Sequence, residues 1–296
     1  MAGHLGRPLC FLAQCGVMVE IFAAAGTSTP EPIAKAAAVF SYRIHYLEAG
    51  HGAPVILLHG TGGEGARWMP TIKGLAPRAR VIAPDQIGFS QSDKPLTAYH
   101  SGVFAGFLAE FMKVIAVPRA TIVGQSMGAG VALFLAVHHP DMVERLVLVD
   151  GGGFRSADDP PAPPPNWRDR QLMNSGTLEE SREYLKKMYF DHSFITDKMV
   201  EDNLILRLRS AYTIESMQTA TGRGLGGVTE EEVRAITAPT LLVWGKNDPL
   251  SPVANADKLH AAIKNSSKVL IDKAGHYPFL EHADEFNRIV LEFLNS

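Results

Sequence analysis

The stretch Ala120-Thr121-Ile122-Val123-Gly124-Gln125-Ser126-Met127-Gly128 decides how this chain is read. Its first four residues suit a short buried strand, and the residues from Met127 to His138 are small and apolar enough for a closely packed helix. A serine flanked by glycines between a strand and a helix fits a tight turn. Only small residues fit the two glycine positions, and the turn lifts the Ser126 hydroxyl clear of the backbone. The pattern G-x-S-x-G is weak by itself, because an ordinary strand-to-helix turn also satisfies it. What lies downstream gives it weight.

A serine hydroxyl is a poor nucleophile at neutral pH and needs a base within reach, with a third group to orient that base. His276, in Ala274-Gly275-His276-Tyr277-Pro278, and Asp248, in Trp244-Gly245-Lys246-Asn247-Asp248-Pro249, each follow an apolar run that reads as a strand. Taken singly, His276 reads as a surface or satisfied core residue and Asn247-Asp248-Pro249 as a plain turn. Taken together, Ser126, Asp248 and His276 project from the same edge of a parallel sheet, where open α/β folds build their sites. Asp150, which ends the run Leu146-Val147-Leu148-Val149, is the rival for the acid.

At this point the chain resembles the α/β-hydrolase family, whose nucleophile turn and Ser, Asp, His chain order it shares. The resemblance covers roughly residues 40–150 and 236–296. Val55-Ile56-Leu57-Leu58-His59-Gly60-Thr61-Gly62 is similar to the family's strand and oxyanion loop, so the resemblance implies that the N–H groups of Met127 and Thr61 hold an oxyanion. Asp85-Gln86-Ile87-Gly88-Phe89-Ser90 looks like the loop after the next strand, with Ser90 where a second glycine is usual. The implied chemistry is acyl transfer: Ser126 attacks a carbonyl, His276 moves the proton and Asp248 orients the imidazole, with no cofactor and no metal. Within the family, Ser126-Met127-Gly128 and the tail Glu281-His282-Ala283-Asp284-Glu285-Phe286 are similar to meta-cleavage-product hydrolases, which cut carbon–carbon bonds. That group usually has Asn and Trp where this chain has Gln125 and Tyr277, and none of Arg207, Arg209 or Arg223 falls in a motif matching its substrate-gripping arginine. The expectation is therefore a carboxylesterase acting on a small-molecule ester of small or medium acyl chain. Carbon–carbon bond hydrolysis is the alternative, and a ligand receptor on the same fold a distant one.

One pattern points elsewhere. Gly60-Thr61-Gly62-Gly63-Glu64-Gly65 satisfies G-x-G-x-x-G after a strand, with Asp85 about twenty residues later, as in an NAD-dependent oxidoreductase. That reading leaves the Ser126 turn and the loops of Asp248 and His276 unexplained. Small residues at 60–65 equally suit an oxyanion loop that must approach a substrate carbonyl.

The chain has 296 residues, 46% hydrophobic and 20% charged, which is enough for one α/β domain with an insertion. A net charge of −3 offers no basic face for nucleic acid or an anionic membrane, and no histidine or cysteine cluster has metal-ligand spacing. Cys10 and Cys15 read as idle thiols. Residues 1–36 read as an N-terminal extension with a faint signal-peptide look, interrupted by Gln14 and Glu20 and too polar for stable membrane insertion. A cytoplasmic protein is expected, with secretion or a periplasmic location left open, as is a homo-oligomer.

Strands are expected at 42–47, 54–58, 80–83, 121–124, 146–149, 240–244 and 268–271, alternating with helices, which implies a mostly parallel sheet covered on both faces. Residues 37–152 and 236–296 form this core. After Asp150 the series breaks: Gly151-Gly152-Gly153 and the prolines from Pro160 to Pro165 lead into residues 153–235, a helical cap with helical spacing at 178–188 and 195–212. The cap is expected to supply an acyl pocket in which Phe154, Met188 and Tyr189 join Trp68, Gln125 and Tyr277.

Overall fold

Hydrophobic runs too short for helices pair here into one sheet. The computed structural model describes residues 30–154, 156, 171–219 and 227–296. Its strands are β1 Ile33–Val39, β2 Tyr42–Ala49, β3 Pro54–Leu58, β4 Arg80–Pro84, β5 Ala120–Gln125, β6 Val143–Val149, β7 Thr240–Gly245 and β8 Ser266–Ile271, in the spatial order β1-β2-β4-β3-β5-β6-β7-β8. The pairs from β4 through β8 are parallel, and β2 runs antiparallel to both β1 and β4. Every residue of β5 and β7 is buried, as expected of central strands with helices on both sides.

Two apolar layers cover the sheet. Helices α1 Met69–Leu75 and, at the C-terminus, Ala283–Leu294 bury Ile72, Leu75, Phe286 and Val290 on one face. On the other face, α2 Ser101–Val114 and α3 Met127–His138 bury Phe104, Met112, Val131 and Leu135. Between β6 and β7 comes a helical insertion: α4 Leu178–Met188, α5 Asp197–Arg209, α6 Ala211–Thr219 and the short α7 Glu230–Arg234. Helices α8 Val253–Ala262, α9 Pro278–Glu281 and α10 Ala283–Leu294 complete the chain.

Three local expectations are corrected. The N-terminal extension does not reach residue 36, because β1 begins at Ile33 and pairs with β2 from Ile33 opposite Glu48 to Val39 opposite Tyr42. Its sequence, IAKAAAV, shows no strand alternation. What makes it a strand is the two-residue turn at Phe40-Ser41, both at positive φ (50° and 68°), as a tight hairpin requires. The stretch 195–212 is two helices rather than one. Thr196 caps the first by accepting from the Met199 N–H (3.2 Å), and Ser210 leaves helical geometry (φ −116°, ψ 16°) before α6 begins. The expected strands at 146–149 and 268–271 also begin earlier, at Val143 and Ser266. Cys10, Cys15, Arg223 and the proline run lie outside the described residues. Among the described residues, no helix is long and apolar enough to cross a membrane.

Candidate active site

The turn at Ser126 is built by close backbone approach. A Cβ on Gly124 would sit 2.2 Å from the Gly128 oxygen, and one on Gly128 would sit 2.4 Å from the Leu58 oxygen, so neither position accepts a side chain. Ser126 is held at φ 54°, ψ −116°, a strained conformation for a residue with a Cβ. It is fixed by its N–H donating to the Val149 oxygen (2.9 Å) and its carbonyl accepting from the Ala129 N–H (3.0 Å). Helix α3 starts at the next residue, so its N-terminal partial positive charge lies beside the hydroxyl.

The other two residues arrive from β7 and β8. The Asp248 Oδ1 accepts from the Leu250 N–H (2.8 Å), which leaves Oδ2 to meet the His276 Nδ1 at 2.7 Å, with the two side chains 0% and 4% exposed. With Nδ1 donating to the carboxylate, Nε2 is the free acceptor of the ring. The His276 backbone is gripped from two sides: its N–H donates to the Met188 oxygen (2.7 Å), and its oxygen accepts from the Gln125 side chain (3.0 Å). Glu281 ties the same loop to the insertion, accepting from Gly275 N–H (2.7 Å), Phe190 N–H (2.8 Å) and Asp191 N–H (3.0 Å).

Ser126 and His276 line one cavity of about 420 Å³, joined by Thr61, Gln125, Phe154 and Tyr277. The loop after β3 closes on the serine: a Cβ on Gly60 would lie 2.5 Å from the Gln125 Oε1 and 3.1 Å from the Ser126 Cβ. Among the described residues, the N–H groups of Thr61 and Met127 donate to no protein acceptor. Two free donors beside a serine suit an anion that develops on the substrate. Asp85, which the dinucleotide pattern would turn to a ribose, is spent on the fold, accepting from Gly65 N–H (2.7 Å) and pairing with His45 (2.9 Å). Among the described residues, no group of three metal-ligating side chains comes together.

The expected pocket is partly corrected. Trp68 does not line the cavity: it is fully buried and stacked on Phe279 of α9 at 4.0 Å, at the end of the 3-10 turn Gly65–Trp68. Met188 and Tyr189 also pack in that core layer, with the Tyr189 ring 5.2 Å from Tyr277. Tyr184, one helical turn before Met188, lines the cavity instead, with Met173.

His59 supports the loop after β3. Its Nδ1 donates to the Gly60 oxygen (2.8 Å) and its Nε2 accepts from the Gln86 N–H (3.0 Å), so the ring is bound as the neutral form. Burial pushes its pKa down from 6.5 to about 4. Between those values the unfolded chain binds a proton that the folded chain refuses, so this residue's stabilisation is complete above pH 6.5 and is lost as the pH falls toward 4, by roughly 3 kcal/mol. In urea titrations, the stability difference between the wild type and His59→Gln should narrow over this window. A difference independent of pH rejects the assignment.

Sequence reasoning passed over Arg207. Helix α5 turns Asn203 and Arg207 inward beside Val200, while Ile205 and Leu208 stand 44% and 54% exposed. The Arg207 guanidinium lies 3.7 Å from the centroid of the Tyr184 ring, and a Cβ on Gly62 would meet its Cζ at 3.2 Å. It donates to the Met173 oxygen (2.6 Å) and the Asn203 Oδ1 (3.3 Å), while Nη2 has no partner and no carboxylate pairs with it among the described residues. The sequence places it inside the apolar run from Leu204 to Leu208, where charge usually faces solvent, and no matching motif marks it.

The fold and these loops define a hydrolase, and comparison with known proteins agrees. The pattern of the alpha/beta hydrolase fold family matches residues 53–283, and the chain belongs to that family. It is 32% identical over 265 residues to a 2-hydroxy-6-oxononadienedioate/2-hydroxy-6-oxononatrienedioate hydrolase of Pseudomonas putida, covering 85% of this chain and 91% of the relative. A solved meta-cleavage product hydrolase from Pseudomonas fluorescens IP01 superposes with a TM-score of 0.78 at 25% identity, over 88% of this chain and 97% of that one. A membrane phospholipase A described as a bacterial virulence factor superposes at 0.79 with 26% identity, over 89% and 86%.

Proposed function

We propose that this hydrolase cleaves the carbon–carbon bond beside a ketone in a small, unsaturated keto acid. The observation that carries the reading is Arg207, a buried guanidinium with a free Nη2 behind the cavity wall. Burying a cation without an anion is costly, and a substrate carboxylate reaching Nη2 relieves that cost. The Pseudomonas relative acts, by its name, on a dienedioate.

In this mechanism His276 Nε2 takes the Ser126 proton as the hydroxyl attacks the ketone, and Asp248 stabilises the imidazolium. The Met127 and Thr61 N–H groups receive the oxyanion. Collapse breaks the carbon–carbon bond, and the departing electron pair spreads into the conjugated acid before His276 returns the proton to carbon. Water activated by His276 then releases the acid from Ser126, with no cofactor required. Helices α4 and α5 act as a cap that selects the substrate through Tyr184 and Arg207, with Phe154, Gln125 and Tyr277 completing the wall. Ester hydrolysis by the same residues is the second reading, favoured by the likeness to the phospholipase.

A dienoate keto acid assayed beside p-nitrophenyl esters of graded chain length tests both. We expect rapid dienoate cleavage. Arg207→Gln should raise its KM by about tenfold to a hundredfold, the worth of a charge-assisted hydrogen bond, and change acetyl ester turnover by less than about threefold. Fast ester turnover with no dienoate cleavage replaces the first reading with the second.

A further inference from the structure

We infer that Asp150 is a neutral carboxylic acid that donates its proton in a hydrogen bond to Asp248. It is then a positioning residue for the acid–imidazole pair and the reserve acid when Asp248 is lost. The inference rests on the roles of Asp248 and His276 proposed above.

Asp150 is the first residue past β6, and its backbone is bent to φ 45°. Its N–H donates to the Val243 oxygen (3.2 Å), and its Oδ1 accepts from the Gly245 N–H (2.8 Å). Both anchors lie at the end of β7, from which the Asp248 loop springs, so the two carboxyls are held in one frame. Asp150 has no solvent exposure, and it lines the same cavity as Ser126 and His276. Its Oδ2 meets no donor among the described residues, and its carboxyl lies in hydrogen-bonding contact with that of Asp248, whose own N–H donates to the oxygen of the same Gly245 (3.2 Å).

Two buried carboxylates cannot face each other without a proton between them. The donors around the pair decide which oxygen carries it. Asp248 has both oxygens filled, one by the Leu250 N–H and one by the His276 ring, so the negative charge belongs there. Asp150 has a single donor, on Oδ1, and an empty Oδ2 that can carry the hydrogen toward Asp248. Burial first, then the Asp248 charge, push the Asp150 pKa well above the usual carboxylate range, and the Glu281 carboxylate adds to this. The groups facing Asp150 are thus the Asp248 and Glu281 carboxyls, with the His276 imidazole beyond Asp248.

A carboxyl that only anchored Gly245 would need no proton. A proton donor to Asp248 should be replaceable by asparagine, whose Oδ1 accepts from Gly245 and whose Nδ2 donates to Asp248. We expect kcat of Asp150→Asn within about threefold of the wild type, and kcat of Asp150→Ala lower by about tenfold to a hundredfold with little change in KM. With Asp248→Asn, the Asp248 charge no longer adds to the burial that keeps Asp150 neutral. The residual activity of that variant should climb about tenfold as the pH is raised, because Asp150 ionises and takes over the support of the imidazolium. The double variant Asp248→Asn with Asp150→Asn should lose the climb and fall about tenfold further at high pH. Because asparagine matches aspartate in shape, this second comparison stands even if Asp150→Ala unfolds.

The inference is overturned if Asp150→Asn is as damaging as Asp150→Ala, or if the double variant matches Asp248→Asn at every pH. An Asp248→Asn variant within tenfold of the parent fails differently. It removes the acid assignment itself, and the inference with it.

Discussion

Ser126→Ala should abolish hydrolysis, lowering kcat by about 10⁶, while the melting temperature stays within a few degrees of the parent's. The size follows from the nucleophile: without Oγ there is no covalent intermediate, and His276 has no proton to take. What remains is binding and the oxyanion donors acting on water. The fold should survive because every contact that holds the turn is made by backbone. The Ser126 N–H and carbonyl keep their partners at Val149 and Ala129, and alanine meets the positive φ with the same Cβ that serine has. Burst kinetics with a chromogenic substrate, run beside a thermal melt, reads both halves of the claim. Mutant activity within tenfold of the parent would reject Ser126 as the nucleophile.

The second large effect belongs to Asp248. Replacing it with asparagine should lower kcat by about 10⁴, because the amide can offer Nδ2 to the ring and turn the tautomer the wrong way. The 2.7 Å bond from His276 Nδ1 to Oδ2 is the one that a carboxylate alone accepts cleanly. Oδ1 still receives the Leu250 N–H in the variant, so the loop keeps its turn. At Asp150 the same chemical change should do little. A larger loss there than at Asp248 would move the acid to the end of β6 and make the Asp248 loop a plain turn. These two residues separate the alternatives because they follow adjacent parallel strands.

The amino-acid sequence by itself determined the central sheet and the loops that end it. The β-branched and apolar runs expected as strands at 54–58, 121–124 and 240–244 lie within the strands Pro54–Leu58, Ala120–Gln125 and Thr240–Gly245, since pairing in a sheet is how so short an apolar run satisfies its backbone. The glycines about Ser126 were legible for a similar reason: the turn's constraints act between residues a few positions apart. So were the loops of Asp248 and His276, each announced by the strand before it.

Tertiary structure decided what depends on residues distant in the chain. The alanine-rich β1 is a strand because β2 folds back on it, while its composition alone carries no such preference. Trp68 packs on Phe279 instead of the pocket, and Tyr184 takes a place on the wall, because their neighbours come from α9 and α4, far along the chain from the loop after β3. Arg207 turned inward against the ordinary preference of a charged residue, in a helix that leaves Ile205 and Leu208 exposed. The partnership of Asp150 with the Asp248 loop crosses 95 residues at the Gly245 contact, and no periodicity or motif encodes it. Local geometry can be read from neighbours along the chain. The charge state of a buried group depends on neighbours that only the folded chain brings together.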